Sequence, residues 1–68
     1  MSELAETVGL KLRQQRKAAG ISQEKLANIA KVDRSYVGRI ERGEVNLTLD
    51  MLYKLADVIG CDAKALLP

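Results

Sequence analysis

Apolar residues recur along the chain at intervals of three and four, and no window alternates with period two, so the pattern predicts helices and gives strands no support. The first stripe, Leu4, Ala5, Val8, Leu12 and Ala19, marks a helix that begins at Ser2 or Leu4, runs to Ala19 and stops at Gly20, a natural terminator. Ser22 is the expected cap of a second helix with Leu26 and Ala27 inward, joined by Ile29 and Ala30. Asp33 is the expected cap of a third. A capping side chain bonds free amides in the first turn of its own helix, so these caps, eleven residues apart, set two short helices separated by three or four residues. Pieces this short are not stable alone and must cross against one another.

Winding residues 34–42 at about 100° per residue gathers Tyr36, Val37 and Ile40 on one side and Arg34, Ser35, Gly38, Arg39 and Arg42 on the other. Such a helix is anchored by its apolar side and offers guanidinium forks outward. Gly43 ends it, residues 44–47 form a loop, and Thr48 caps a fourth helix that reaches Ile59 and closes at Gly60. Asp62 caps a last helical turn or two over residues 63–67, which completes an all-α, five-helix chain. On the fourth helix only Asp50, Lys54 and Asp57 cluster as a polar face, and the apolar remainder is wider than the roughly 100° stripe of a one-sided surface helix. Two readings fit: a central helix wrapped by the others, or a homodimer contact made with the last helix through some of Met51, Leu55, Val58, Leu66 and Leu67.

Composition narrows the function. Sixty-eight residues make one domain, whose core alone supplies roughly 3–5 kcal/mol, so further support is expected. Cys61 is alone and cannot form a disulfide within the chain, and one cysteine with no histidine argues against a metal site. Oligomerisation is the remaining route. No apolar run approaches the roughly 18 residues of a membrane span, and the acidic start SELAET is unlike a signal peptide, so a cytoplasmic location is expected. Catalysis is not expected, because there is no histidine and Ser2, Ser22 and Ser35 are explained by helix starts. Nor is a cofactor or a small-molecule ligand.

The net charge of +2 is unevenly spread: residues 11–42 carry nine Lys or Arg against three acidic residues, and the segments on either side are acidic. Positive charge thus coincides with the arginine face, as on a nucleic-acid surface, although an ordinary solvated surface is the bland alternative. RNA is disfavoured by the scarcity of aromatics, with two tyrosines and no Phe or Trp. The competing class is a protein-interaction module such as an antitoxin, for which apolar anchors would be expected in place of arginines.

Four stretches carry a resemblance: Gly9, Leu12, Arg13 and Arg16; GISQEKLA from Gly20; YVGRIERG from Tyr36; and LYKLADVIG ending at Gly60. Together they make the chain similar to Cro and lambda-repressor type helix-turn-helix regulators (the XRE type), five-helix domains that bind operator DNA, usually as dimers. The run DRSYVGRIERGEVNLTL resembles the controller proteins of restriction-modification systems, which have Asn-Leu-Thr where many relatives have Asn-Pro-Ser.

The resemblance implies double-stranded DNA as partner, with Arg34, Ser35 and Arg39 entering the major groove. Arginine suits this because its fork bridges O6 and N7 of guanine, worth roughly 1–3 kcal/mol of discrimination. Alternatives are an ion pair of Arg34 with Asp33, a first-turn role for Ser35 and a phosphate contact for Arg39. Gln23, Lys25, Tyr36, Arg42, Gly43 and Asn46 match positions that contact the DNA backbone, with simple packing the alternative for Tyr36. For Gly38 the choice lies between a bare backbone that lets the helix sit deeper in the groove and mere sequence drift. Arg16 and Glu41 match a partly buried structural ion pair, and Glu24 an acidic position that some activators use to touch RNA polymerase. Two departures stand out: Lys31 occupies a turn position where glycine is usual, and Gln15 falls within the first apolar stripe.

Overall fold

A computed structural model describes residues 2–68 and contains four α-helices and one short 3-10 turn: α1 Glu3–Ala18, α2 Gln23–Ala30, α3 Arg34–Glu41, α4 Leu49–Ile59 and the turn Ala63–Leu66. The caps account for most of the boundaries. Ser2, Ser22 and Thr48 accept the amides of Ala5, Lys25 and Met51 at 3.0, 3.0 and 3.1 Å. Asp33 opens α3 in the extended cap conformation but makes no side-chain cap bond, so its position was legible and its bond was not. The expected fifth helix is a single four-residue 3-10 turn, started by Asp62 accepting the Lys64 amide and ended by Leu67 in extended conformation.

The core is aliphatic. Leu12 of α1, Leu26, Ala27 and Ala30 of α2, Val37 and Ile40 of α3, and Leu52, Leu55 and Ala56 of α4 close on one another with Ala63 and Leu66. α2 packs on both α3 and α4, and the last turn packs back on α1 and α4. Several expected inward residues lie outside this core. Leu4 and Ala19 are exposed, whereas Ala5 and Leu12 are buried as expected, and α1 buries Gly9 and Arg16 beside them. Ile29 is 52% exposed: Ala27 and Ala30 centre the buried arc of α2 away from it. Leu55 and Leu66 are fully buried core residues and have no surface to offer a second copy, because α4 packs on α2 and the last turn, and the last turn packs on α1 and α4. α4 is not wrapped all round, since Leu49 and Tyr53 are exposed.

Two backbone features set the crossing of α1, α2 and α3. Lys31 adopts the left-handed conformation, φ 61° and ψ 46°, and closes α2 by donating its one amide to the carbonyls of Ala27 and Asn28. The turn therefore has the usual left-handed shape, at about 1–2 kcal/mol of strain for a residue with a Cβ. Gly9 lies where α1 meets the end of α3. A Cβ there would overlap the Ile40 carbonyl oxygen and come within 2.9 Å of the Glu41 carbonyl oxygen, so only glycine permits this approach.

Candidate nucleic-acid interface

α3 is anchored beneath and open above. Val37 and Ile40 are buried and Tyr36 packs partly against the core, while Arg34, Ser35 and Arg39 are exposed on the other side. Tyr36 also supports the open face: the Arg39 guanidinium carbon lies 5.8 Å from its ring centroid, within cation–π range, which limits where that arginine swings.

The end of α3 is tied down by charge. Arg16 donates from Nε to Glu41 Oε2 at 2.7 Å, from Nη2 to Oε1 at 3.1 Å and from Nη1 to the Ile21 carbonyl at 2.8 Å. The two side chains are 9% and 3% exposed. A bidentate pair this well bonded fixes α1 against α3 and the α1–α2 connection at once. Gln23 joins it, donating from Nε2 to Glu41 Oε1 at 2.9 Å. Sequence reasoning missed this bond, because residues 18 apart are brought together only by the α2–α3 crossing. Gln15, the other polar intruder, is half-buried at the border of α1, and no buried side-chain polar atom lacks a partner among the described residues.

Around this support lies a shallow concavity lined by Gln23, Arg34, Ser35, Gly38, Arg39 and Arg42. Gly38 is buried within it rather than bare, since Arg42 folds back over it. Arg42 is tied to Glu44, Nε to Oε2 at 2.6 Å, and that bond holds the Glu44 carboxyl below its ordinary range and raises the Arg42 guanidinium. The other proposed backbone residues are scattered. Lys25 is exposed on α2, outside the concavity. Asn46 borders a different feature, an apolar recess of about 260 Å³ between the start of α1 and the α3–α4 loop, with Leu4, Leu49 and Leu67 among its walls. Gly43, at φ 75°, donates its amide to Ile40 and is buried against Glu6, so it terminates α3 and presents no free amide to a phosphate.

Other chemistry has little support. Burial pushes the Cys61 thiol up, away from the thiolate form that a nucleophile needs. Among the described residues no His, Cys, Asp or Glu group is placed to hold a metal, and no helix is long and apolar enough to cross a membrane.

Two short helices joined through a left-handed turn, the second held by its inner face and displaying arginines on its outer one, define a helix-turn-helix domain. The chain belongs to the helix-turn-helix family of DNA-binding transcription regulators, whose family model matches residues 12–66. Its relatives include the restriction-modification control proteins C.SmaI of Serratia marcescens, 35% identical over 96% of this chain and 77% of that one, and C.BamHI of Bacillus amyloliquefaciens, 42% identical over 87% and 74%. Among solved structures it is similar to the controller protein C.AhdI from Aeromonas hydrophila, with a TM-score of 0.87 and 42% identity over 91% of this chain and 90% of that one.

Proposed function

We propose that this chain is a sequence-specific regulator that binds double-stranded DNA as a homodimer on a partly palindromic operator, in the manner of the controller of a restriction-modification system. The observation that carries this is the concavity on the outer side of α3, where Arg34, Ser35 and Arg39 stand exposed above a helix fixed by Val37, Ile40 and Glu41. Rigid support matters because base reading requires side chains held in register with the groove. Arg34, Ser35 and Arg39 read base edges. Gln23 at the start of α2, with Lys25 and Tyr36, meets the phosphates, and Asn46 does so from the loop.

Dimerisation brings two copies of α3 to about 34–36 Å, one turn of duplex or a multiple of it. Of the five side chains expected at the contact, Met51, Val58 and Leu67 keep exposed surface. Leu67 also borders the apolar recess with the exposed Leu4 and Leu49, which a second copy would cover. Glu24, exposed in the first turn of α2, is the residue a bound polymerase would meet if the regulator activates.

Selection from a random duplex pool near physiological salt, with native mass of the retained complex, tests the proposal. The expected result is an inverted repeat bound by two chains. No enrichment, with only weak salt-labile binding, refutes it and favours a protein partner. Once a site is in hand, Arg34→Ala and Arg39→Ala should relax preference at defined bases with the salt dependence nearly intact. Lys25→Ala should weaken all duplexes alike and reduce the salt slope by about one.

A further inference from the structure

Arg42 caps the C-terminal end of α3, at a position where the resemblance implies a contact with the DNA backbone. Its guanidinium is elsewhere: the side chain runs back toward the helix N-terminus, as helical side chains do, and lies over Gly38 one turn earlier. There it shares the concavity with Arg34, Ser35 and Arg39. A Cβ at position 38 would stand 3.1 Å from Nη1 and 3.9 Å from Cζ, with Gln23 Oε1 the other neighbour at 3.8 Å. Such a Cβ would make the guanidinium give by a few tenths of an ångström, away from the helix. Glu44 completes the seat from the far side, taking Nε at 2.6 Å and Nη2 at 3.5 Å, which leaves Nη1 unused by the carboxylate.

Resting on the DNA-binding reading above, we propose that Gly38 and Glu44 form a seat that lays Arg42 across the reading face, making it a further base-reading arginine. Gly38 removes the methyl that would lift the guanidinium, and Glu44 fixes its rotation by holding one edge of the fork. The mid-helix glycine, costly for helix formation, is thereby explained by the side chain that covers it rather than by helix depth in the groove. Nη1 is then offered to an acceptor on a base edge, and sequence preference at that base depends on all three residues.

The experiment measures affinities for the selected duplex and a scrambled one with the wild type, Arg42→Ala, Gly38→Ala, the double variant and Glu44→Gln. Arg42→Ala is expected to lower the ratio of the two affinities about tenfold, the scale of one good base contact. Gly38→Ala should raise the unfolding midpoint, as alanine does in a helix, yet lose part of the same ratio, and it should cost nothing more once Arg42 is gone. Glu44→Gln should also lower the ratio, although removing a negative charge favours DNA in general. Equal losses on both duplexes for Arg42→Ala overturn the proposal, leaving Arg42 a phosphate ligand. So does a Gly38→Ala penalty that persists in the Arg42→Ala background, which would return the glycine to groove depth. A wild type that selects no duplex overturns the DNA-binding reading itself and the seat with it, whereas these other failures leave that reading standing.

Discussion

Arg16→Ala separates the fold from its surface. In the wild type Glu41 accepts from Arg16 Nε, from Arg16 Nη2 and from Gln23 Nε2, with its side chain only 3% exposed. The substitution removes two of these donors, leaves the carboxylate with Gln23 alone and strips the Ile21 carbonyl of its partner at 2.8 Å. Stranding one member of a buried pair costs about 3–5 kcal/mol. A 68-residue domain has roughly 3–10 kcal/mol in all, at about 0.05–0.15 kcal/mol per residue, so the variant should be largely unfolded or nearly so at 25 °C. Urea unfolding followed by helix circular dichroism measures this directly. The companion Arg16→Met/Glu41→Leu double variant removes both charges at similar volume and should recover most of the loss, because replacing a buried pair by apolar groups is often neutral or better. An Arg16→Ala chain within about 1 kcal/mol of wild type at unchanged m-value would refute the reasoning. A double variant as unstable as the single one would refute it too, by showing that packing of the Arg16 stem rather than the stranded charge sets the cost.

Three further outcomes are expected. Gly9→Ala should lower stability by about 1–3 kcal/mol, since the new methyl meets the Ile40 carbonyl and α1 must back away; a melting curve equal to wild type would mean the helices part freely. Lys31→Gly should raise the melting temperature by relieving a residue at φ 61°, with a gain of about 1 kcal/mol or less after the entropy of glycine is set against it; a lower melting temperature would place the strain elsewhere. The Glu44 carboxyl should titrate below its ordinary value of 4.5, because the Arg42 bond favours the ionised form, and Arg42→Ala should move it back up toward that value. Because its folded value is depressed, the associated stability is present above the unfolded value and fades as pH falls through the lowered one, and solvent exposure keeps it small. Side-chain carboxyl NMR reads the midpoint, and an unshifted Glu44 would show that the pair does not persist in solution.

What the chain displays openly is what neighbouring residues decide. Ser2, Ser22 and Thr48 each cap the helix that follows within three residues, so these starts can be read locally. Where a face is wide or a helix short, locality fails. Ile29 sits just beyond the arc centred by Ala27 and Ala30, and two turns of helix are too few to fix that centre from spacing alone. α4 is apolar around most of its circumference, so the pattern cannot say that Leu55 is sealed while Leu49 and Tyr53 face solvent. The outward arginines of α3 follow from its period, but their support does not. Gln23 reaches Glu41 and Gly9 reaches Ile40 only after the helices cross. Arg42 covers Gly38 and bonds Glu44 through one choice of rotamer, and no periodicity encodes that.

The same crossing explains why fold and function can be separated in so small a chain. Glu41 and Arg42 are consecutive, yet the 100° step between them turns one inward to Arg16 and leaves the other on the outer face with Glu44. The change from structural to displayed charge therefore takes place across one peptide bond. Substitutions at Gly9, Arg16, Val37, Ile40 and Glu41 act on the anchored side, and their effect on binding should track the folded fraction. Those at Arg34, Ser35, Arg39 and Arg42 act on exposed side chains and should leave the unfolding transition within about 0.5 kcal/mol of wild type, as surface changes do. A binding defect from the first group in a fully folded chain, or an unfolding defect from the second, would show that the two sides of α3 are coupled more tightly than its period allows.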